Sequence, residues 1–570
     1  MALIFQVYLI SFGLQLIAWP WLVKFLPKLT DRGWASGRTV ITLAVALAIW
    51  FTGHLKAPVN NDLGIAMTLF LIVFSTQMVL GREIKPALRS LHKIGYLVLT
   101  EEILFALGLF GYALVRGYQP DILGLEKFMD FGFIKSYLVS PTLPAADMWW
   151  AGGTINYYSF GQFWASVLIR IWGVGAEVGY NLMLAFILAS SLSLAFSVIV
   201  NLSAEKELSR TKTTIAGLMG ALLVTLGGNS HTIWYLLTKG TLTGYWYADA
   251  TRFIHNTIHE FPGYSFVVSD LHGHVLSLPM VLIFILLLIA WQRERKRLME
   301  IGLGILLGVM AMTNTWDSVI YGLLLAILFF LNLLSRQTGI RELTKTLVVV
   351  GISAVITALP WLVGFSSISD GLAAVKERSP WWQLAVLWSI HGGITLLVLM
   401  VAMRQKKKNF LIVALGLTAI SLILIPEFVY VRDIYPSHPR ANTMFKFTYQ
   451  AFIMMGLMFG WLAGEAGKLK RLFWFLGNGV LGVLFVGLMI FPYLAFSSYY
   501  GGFRSYRGLD GFSFLKQRFP DEVEMIGYLE KRADGRNLIE AVGDSYTETD
   551  FISAFSGTPT IVGWRVHEWL

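Results

Sequence analysis

Thr257-Ile-His-Glu-Phe-Pro-Gly-Tyr-Ser-Phe-Val-Val-Ser-Asp-Leu-His-Gly-His-Val-Leu-Ser-Leu-Pro279 brings five ionisable side chains, His259, Glu260, Asp270, His272 and His274, up to an apolar run that meets no charge until Arg293. As a helix, that run is long enough to cross a bilayer. Ionisable groups pressed against such a run are costly and mark candidate functional ground. The stretch reads as the junction of a loop and a membrane span.

Composition extends this reading to the whole chain. Of 570 residues, 56% are hydrophobic and 14% charged, against about 25% charged in an average soluble protein. There are 0 cysteines, which excludes disulfides and thiolate metal sites. A formal charge of +10 would point to nucleic acid in a soluble chain. Here the cations sit in short loops between apolar runs, where they act as topology signals, so nucleic-acid binding is set aside. The first apolar run has no basic leader and no small-residue cleavage site, and reads as a retained helix.

Run length and periodicity predict about 14 transmembrane helices, at residues 3–26, 37–54, 62–81, 95–115, 178–201, 214–229, 272–291, 299–314, 318–334, 343–364, 382–402, 409–425, 443–464 and 471–493. Basic residues follow every odd-numbered span. Lys24, Lys28, Arg32 and Arg38 follow the first, Arg82, Lys85, Arg89 and Lys93 the third, and Lys206, Arg210 and Lys212 the fifth. Arg293, Arg295, Lys296 and Arg297 follow the seventh, and Arg336, Arg341 and Lys345 the ninth. Arg404 and Lys406 to Lys408 follow the eleventh, and Lys468, Lys470 and Arg471 the thirteenth. The positive-inside rule puts these loops in the cytoplasm and both termini outside, in a multi-pass cell-membrane protein.

Residues 158–173 are apolar but carry Ser159, Gln162, Ser166 and Arg170 at helical spacing, which predicts a helix lying in the outer interface. The outer loops, 116–177, 230–271 and 427–442 among them, hold most of the acids, histidines and aromatics. Long loops with reactive side chains on one face suggest a site there. The expected fold class is an all-α polytopic membrane protein: a membrane domain over 1–493 and a small extracytoplasmic α/β tail over 494–570. In the tail, 521–531 reads as an amphipathic helix, 537–542 as a short buried strand and 558–563 as a turn into another. The tail reads as incomplete.

Within the loops, Glu126 and Asp130 stand four apart, on one face if helical, and either could take a proton. Asp147, Trp150, Asn156, Tyr157 and Tyr158 form an aromatic and polar stretch, either a headgroup-level belt or a platform for sugar or lipid, with Glu260 and Asn442 as further binding candidates. Asp270, His272 and His274 alternate. If extended, they share a side and could hold a divalent ion, Mg or Mn, completed by Glu260 or a phosphate. They could equally serve phosphate or substrate, or bond backbone at a helix start. Asp317 reads as a cap. Arg432, Arg440 and Lys446 lie where cations are disfavoured, which a bound phosphate or salt bridges would explain. Glu101 and Glu102, inside the fourth span, are expected to pair with Arg89 or Lys93 or to reach the interface.

Together Glu-Lys-Phe-Met-Asp at 126–130, Trp-Ala-Gly-Gly-Thr-Ile-Asn-Tyr-Tyr at 150–158, Glu-Phe-Pro at 260–262, Asp-Leu-His-Gly-His at 270–274, Asn-Thr-Trp-Asp at 314–317 and Arg-Ala-Asn-Thr-Met-Phe-Lys-Phe at 440–447 resemble the "YYY-domain" membrane protein family. Ser159 stands for the third tyrosine of its namesake run, Gln162 for a histidine and Gly273 for a proline. That family is similar to the GT-C superfamily of membrane glycosyltransferases. The resemblance implies a GT-C-like fold and transfer of sugar from a polyprenyl-phosphate donor, among membrane lipids, to an extracytoplasmic acceptor. Asp130 is then the first candidate base and Glu126 the second. The reading requires 126–130, 270–274 and 432–446 to converge. The alternative is a transporter or lipid flippase, which predicts broken helices at the bilayer midplane.

Overall fold

A computed structural model describes residues 1–203, 209–405, 409–433, 437–466, 471–531 and 537–567. Lys206, Lys406 to Lys408, Lys468, Lys470 and the last three residues of the tail lie outside the described residues. The helices in chain order are α1 Ala2–Phe25, α2 Gly37–His54, α3 Asp62–Arg116, α4 Lys127–Val139, α5 Phe160–Trp172, α6 Ala176–Ser203, α7 Arg210–Thr225, α8 His231–Lys239, α9 Asp249–Arg252, α10 Pro262–Val268 and α11 Gly273–Leu276. There follow α12 Leu278–Glu294, α13 Arg297–Thr313, α14 Thr315–Leu334, α15 Ile340–Leu362, α16 Trp381–Arg404, α17 Phe410–Leu424, α18 Ala441–Ala466, α19 Arg471–Tyr499, α20 Ser513–Arg518, α21 Pro520–Glu530 and α22 Phe551–Ser556. Strands β1 Leu372–Ala374 and β2 Val429–Val431 pair antiparallel, with Ala373 opposite Tyr430. They tie two loops together at one end of the bundle.

Among the described residues, 11 helices are long and apolar enough to cross a membrane. Every predicted span is helical. The lower number arises because 62–81 and 95–115 belong to one helix, and because α7 and α13 have 16 and 17 residues. At 1.5 Å per residue a straight α3 would run about 80 Å. Yet Asp62 at its start pairs with Arg170 at 3.0 Å, and Arg116 at its end bonds Asn181 at 2.8 Å. Both anchors belong to the short stretch 170–181. Between them Thr76 accepts from the Trp21 indole, the Ala87 carbonyl from Trp19, and Glu102 from Trp34. The helix therefore doubles back and supplies two crossings. Pro86, which lacks the N–H that would bond residue 82, lies in the returning middle.

The core helices are α6, α12 and α18, whose apolar windows are almost wholly buried, while α3, α15, α16 and α19 expose most of theirs at the rim. Close packing in the core needs small residues. A Cβ on Gly220 of α7 would lie 3.0 Å from the Cα of Gly460 of α18, so an alanine there would push the two helices apart.

The two ends of the bundle differ. At one end Arg293 donates to the Lys28 and Asn201 carbonyls, Arg297 pairs with Glu342, and Arg210 stacks on Tyr96. The basic loops thus gather there. At the other end lie Gln6, bonded to the Trp172 carbonyl, together with α4, α5 and the tail. Glu102 pairs with Arg38, not with Arg89 or Lys93 as expected, because the turn 29–36 folds Arg38 back against α3. Glu101 beside it is fully buried.

The helix predicted at 158–173 is α5, but it does not lie in an interface. It is buried on nearly every side, and its polar stripe is spent inside the protein. Ser159 bonds Tyr137, Gln162 bonds Asp130, Ser166 bonds the Phe163 carbonyl and Arg170 pairs with Asp62. In the tail, the amphipathic helix is α21. The two stretches read as strands pair in parallel through a single bridge, Leu538 to Thr560. The burial expected of 537–542 is not found, since Ile539 and Val542 are exposed. The tail lies on the loops around α4. Arg507 grips Asp121 at 2.7 Å, and Phe128 packs among Phe514, Phe551, Phe555 and Trp564.

Candidate functional site

The site forms where the start of α4 meets the junction before α12. The Glu126 carbonyl accepts from the Asp130 N–H at 2.9 Å, so the first turn of α4 sets both carboxylates on one face, as their spacing predicts. Across from them Ser269, at a left-handed φ of 57°, ends α10 and turns the chain into His272. His272 Nδ1 lies 3.0 Å from a Glu126 oxygen and 3.3 Å from Asp130. Its Nε2 lies 3.3 Å from the Tyr157 hydroxyl, which donates to Tyr158 at 2.8 Å. Gln162 donates to Asp130 at 2.7 Å.

The two carboxylates differ in access. Asp130 is fully buried, whereas the Glu126 side chain is 31% exposed. Burial pushes the Asp130 carboxyl up, against the pull of His272. Burial pulls His272, one residue before the span that starts at Gly273, down; Glu126 and Asp130 overcome this and hold it at about 9. At neutral pH the group is an imidazolium between two acids. Burial and the neighbouring Asp130 push Asp270 well up.

Lys446 joins this cluster from α18. It is 3% exposed, and its Nζ lies 4.7 Å from the Phe445 ring centre and 5.9 Å from that of Tyr158. It makes no hydrogen bond or ion pair among the described residues. Glu126, Asp317, Glu260 and Asp130 act on it only at longer range. Tyr157 and Tyr158 lie with ring centres 4.0 Å apart, tilted by 30°, with Phe133 stacked behind Tyr157, and present an aromatic wall.

The other two cations expected at a phosphate do not come here. Arg440 is closed by Glu427 at 2.8 Å and by Ser379. Arg432 is exposed just after β2, where its backbone pairs with Gly371 and Asp370 before β1. The alternating metal set does not form either. Residues 273–276 make a helical turn, α11, so the three residues do not alternate on an extended strand; the His272 and His274 rings lie 5.5 Å apart, but only His272 meets the carboxylates. His274 faces Ser265, Phe445 and Tyr449. Among the described residues no three His, Asp or Glu side chains converge as metal ligands.

The remaining candidates take supporting places. Asp147 bonds His567 at 2.9 Å and the Trp149 N–H, fastening the tail. Asn156 exchanges hydrogen bonds with Ser366, and Trp150 is exposed. Glu260 accepts from Arg252 at 2.7 Å, and Asn442 is half-buried at the start of α18. Asp317 caps nothing. It accepts from Ser277 of the α11–α12 junction and from Gln450 of α18, joining three elements. Sequence reasoning missed Gln162 as the partner of Asp130, although its place in the polar stripe of α5 was the available signal.

No curated protein matches the chain. Among solved structures it is similar to the oligosaccharyltransferase of Archaeoglobus fulgidus, tethered by a disulfide to an acceptor peptide with the NVT sequon. The identity is 12% and the TM-score 0.44, over 82% of this chain and 64% of that one. Residues 44–414 and 393–455 match a family profile described as "Uncharacterized membrane protein (DUF2298)". The chain therefore belongs to that DUF2298 family of membrane proteins.

Proposed function

We propose that this protein is a membrane glycosyltransferase that moves a sugar from a polyprenyl-phosphate donor to an acceptor hydroxyl on the extracytoplasmic side. One observation carries the reading: a partly exposed carboxylate, Glu126, acts electrostatically on a buried cation, Lys446, that has no ion pair among the described residues and lies beside the Tyr157–Tyr158 wall. The gathering of basic loops at the opposite end supports the sidedness.

In the reaction the acceptor oxygen bonds the anomeric carbon while the bond from that carbon to the phosphate oxygen breaks. The acceptor proton passes to Glu126, the carboxylate a substrate can reach. Gln162 holds Asp130, and Asp130 holds His272, which positions Glu126. The charge developing on the phosphate is met by Lys446 in a water-poor setting, where a fixed cation counts for more than in bulk. Sugar faces stack on the tyrosines. The test is to supply purified protein with a polyprenyl-phosphate sugar and an acceptor and to measure released polyprenyl phosphate. Full activity in both Glu126→Gln and Asp130→Asn variants would remove the carboxylates from the mechanism.

A further inference from the structure

A second cavity lies at the basic end, far from the carboxylates. It has a volume of about 310 Å³ and opens between α1 and the returning middle of α3. Pro20 and Lys24 line it from α1, Arg32 from the turn after α1, and Glu83, Pro86 and Ser90 from one stripe of α3. Ligand pockets typically occupy about 300–1,000 Å³, so this one can admit a headgroup.

Two features give it a charge preference. Neither the Lys24 nor the Arg32 side chain makes a hydrogen bond or ion pair among the described residues, Glu83 included. The Arg32 backbone has a φ of 55°, a conformation costly for a residue with a Cβ. The turn that imposes it is held firmly: Asp31 accepts from the Gly33 N–H, Ser197 and Asn201. A guanidinium is thus presented from a fixed loop with no hydrogen-bond or ion-pair partner among the described residues. The Trp19 indole, through the Ala87 carbonyl, fixes the α3 side.

Two further features point to a lipid as the source of the anion. Trp21 and Phe25 stack at 5.6 Å beside the cavity, and Trp21 donates to Thr76, the arrangement of a headgroup-level anchor. Phe74, Met78 and Leu88, on the same helix as the α3 lining residues, are exposed apolar side chains that acyl chains could cover. Basic pockets between membrane helices on the side of the basic loops suit anionic headgroups.

We infer that the Lys24–Arg32 cavity binds the phosphate headgroup of an anionic glycerophospholipid. The test uses the full chain in detergent, incubated with phosphatidylglycerol or phosphatidylcholine and read by native mass spectrometry, with inorganic phosphate in a parallel thermal-shift assay. The wild type should retain phosphatidylglycerol over phosphatidylcholine, and Lys24→Gln/Arg32→Gln should cut that retention about tenfold, the effect of losing phosphate contacts. Glu83→Gln, which removes a repulsive charge, should raise retention and so guards against a fold defect in the double variant. Equal retention of both lipids, or unchanged retention in the double variant, would overturn the inference. So would stabilisation by inorganic phosphate, dependent on the same two cations, without retention of phosphatidylglycerol.

Discussion

Arg440 and Lys446 stand six positions apart at the head of α18, and the protein treats them in opposite ways. Arg440 is closed by Glu427 and Ser379, a buried ion pair with its charge cancelled. Lys446 rests against aromatic rings, with its acids at longer range. A buried charge without a partner is expensive, so a protein that closes one cation and leaves its neighbour open invites a ligand for the second. The basic end repeats the contrast. There Glu102 closes Arg38, which lies 3.6 Å from the Phe105 ring centre, while Lys24 and Arg32 stay open.

The comparison can be broken at several points. Glu126→Gln should lower sugar transfer by about 10²–10⁴-fold with the fold retained, the range for loss of a general base. Near-wild-type turnover in that variant would hand the role to Asp130. Arg440→Gln should act on stability instead, by about 3–5 kcal/mol, because it strands Glu427. The double variant with Glu427→Gln should recover most of that loss in thermal unfolding, and no recovery would mean that Arg440 has a ligand of its own. Lys446→Gln should lower transfer by about 10²-fold and leave the unfolding temperature near wild type.

A smaller effect comes from pH. His272 titrates at about 9 in the folded protein against an ordinary 6.5. Its imidazolium therefore stabilises the fold fully below about pH 6.5, and that contribution is lost as pH rises through about 9. Unfolding temperatures measured from pH 6 to 10 should fall across that window more steeply in the wild type than in His272→Gln. Parallel curves would show that the acids do not grip the ring. Arg432→Gln, at an exposed position just after β2, should change neither activity nor stability measurably.

The membrane fold was legible because apolar runs of spanning length leave few alternatives, and every predicted span is a helix. The Glu126–Asp130 pair was legible from its four-residue spacing, and α5 from its polar stripe. What escaped depended on partners distant in sequence or on local turns. The sequence leaves Arg440 open to a phosphate or a salt bridge, and only the fold shows that Glu427, 13 residues earlier, closes it. The alternation of Asp270, His272 and His274 suggested an extended strand, but 273–276 is a helical turn, and His274, though its ring lies 5.5 Å from that of His272, bonds Ser265 and packs on Phe445 and Tyr449. The doubling back of α3 was visible as two spans, though not as one helix, because the basic stretch between them has ordinary helical residues and only Pro86 against it.

The most direct measurement is release of polyprenyl phosphate from a polyprenyl-phosphate sugar by purified protein, compared among wild type, Glu126→Gln, Lys446→Gln and Arg440→Gln/Glu427→Gln. The Glu126–Lys446 cluster predicts acceptor-dependent release by the wild type and the doubly neutralised pair, and near-complete loss in the two single variants. Release that ignores both Glu126 and Lys446, or none by the wild type with any lipid-linked sugar, would contradict it.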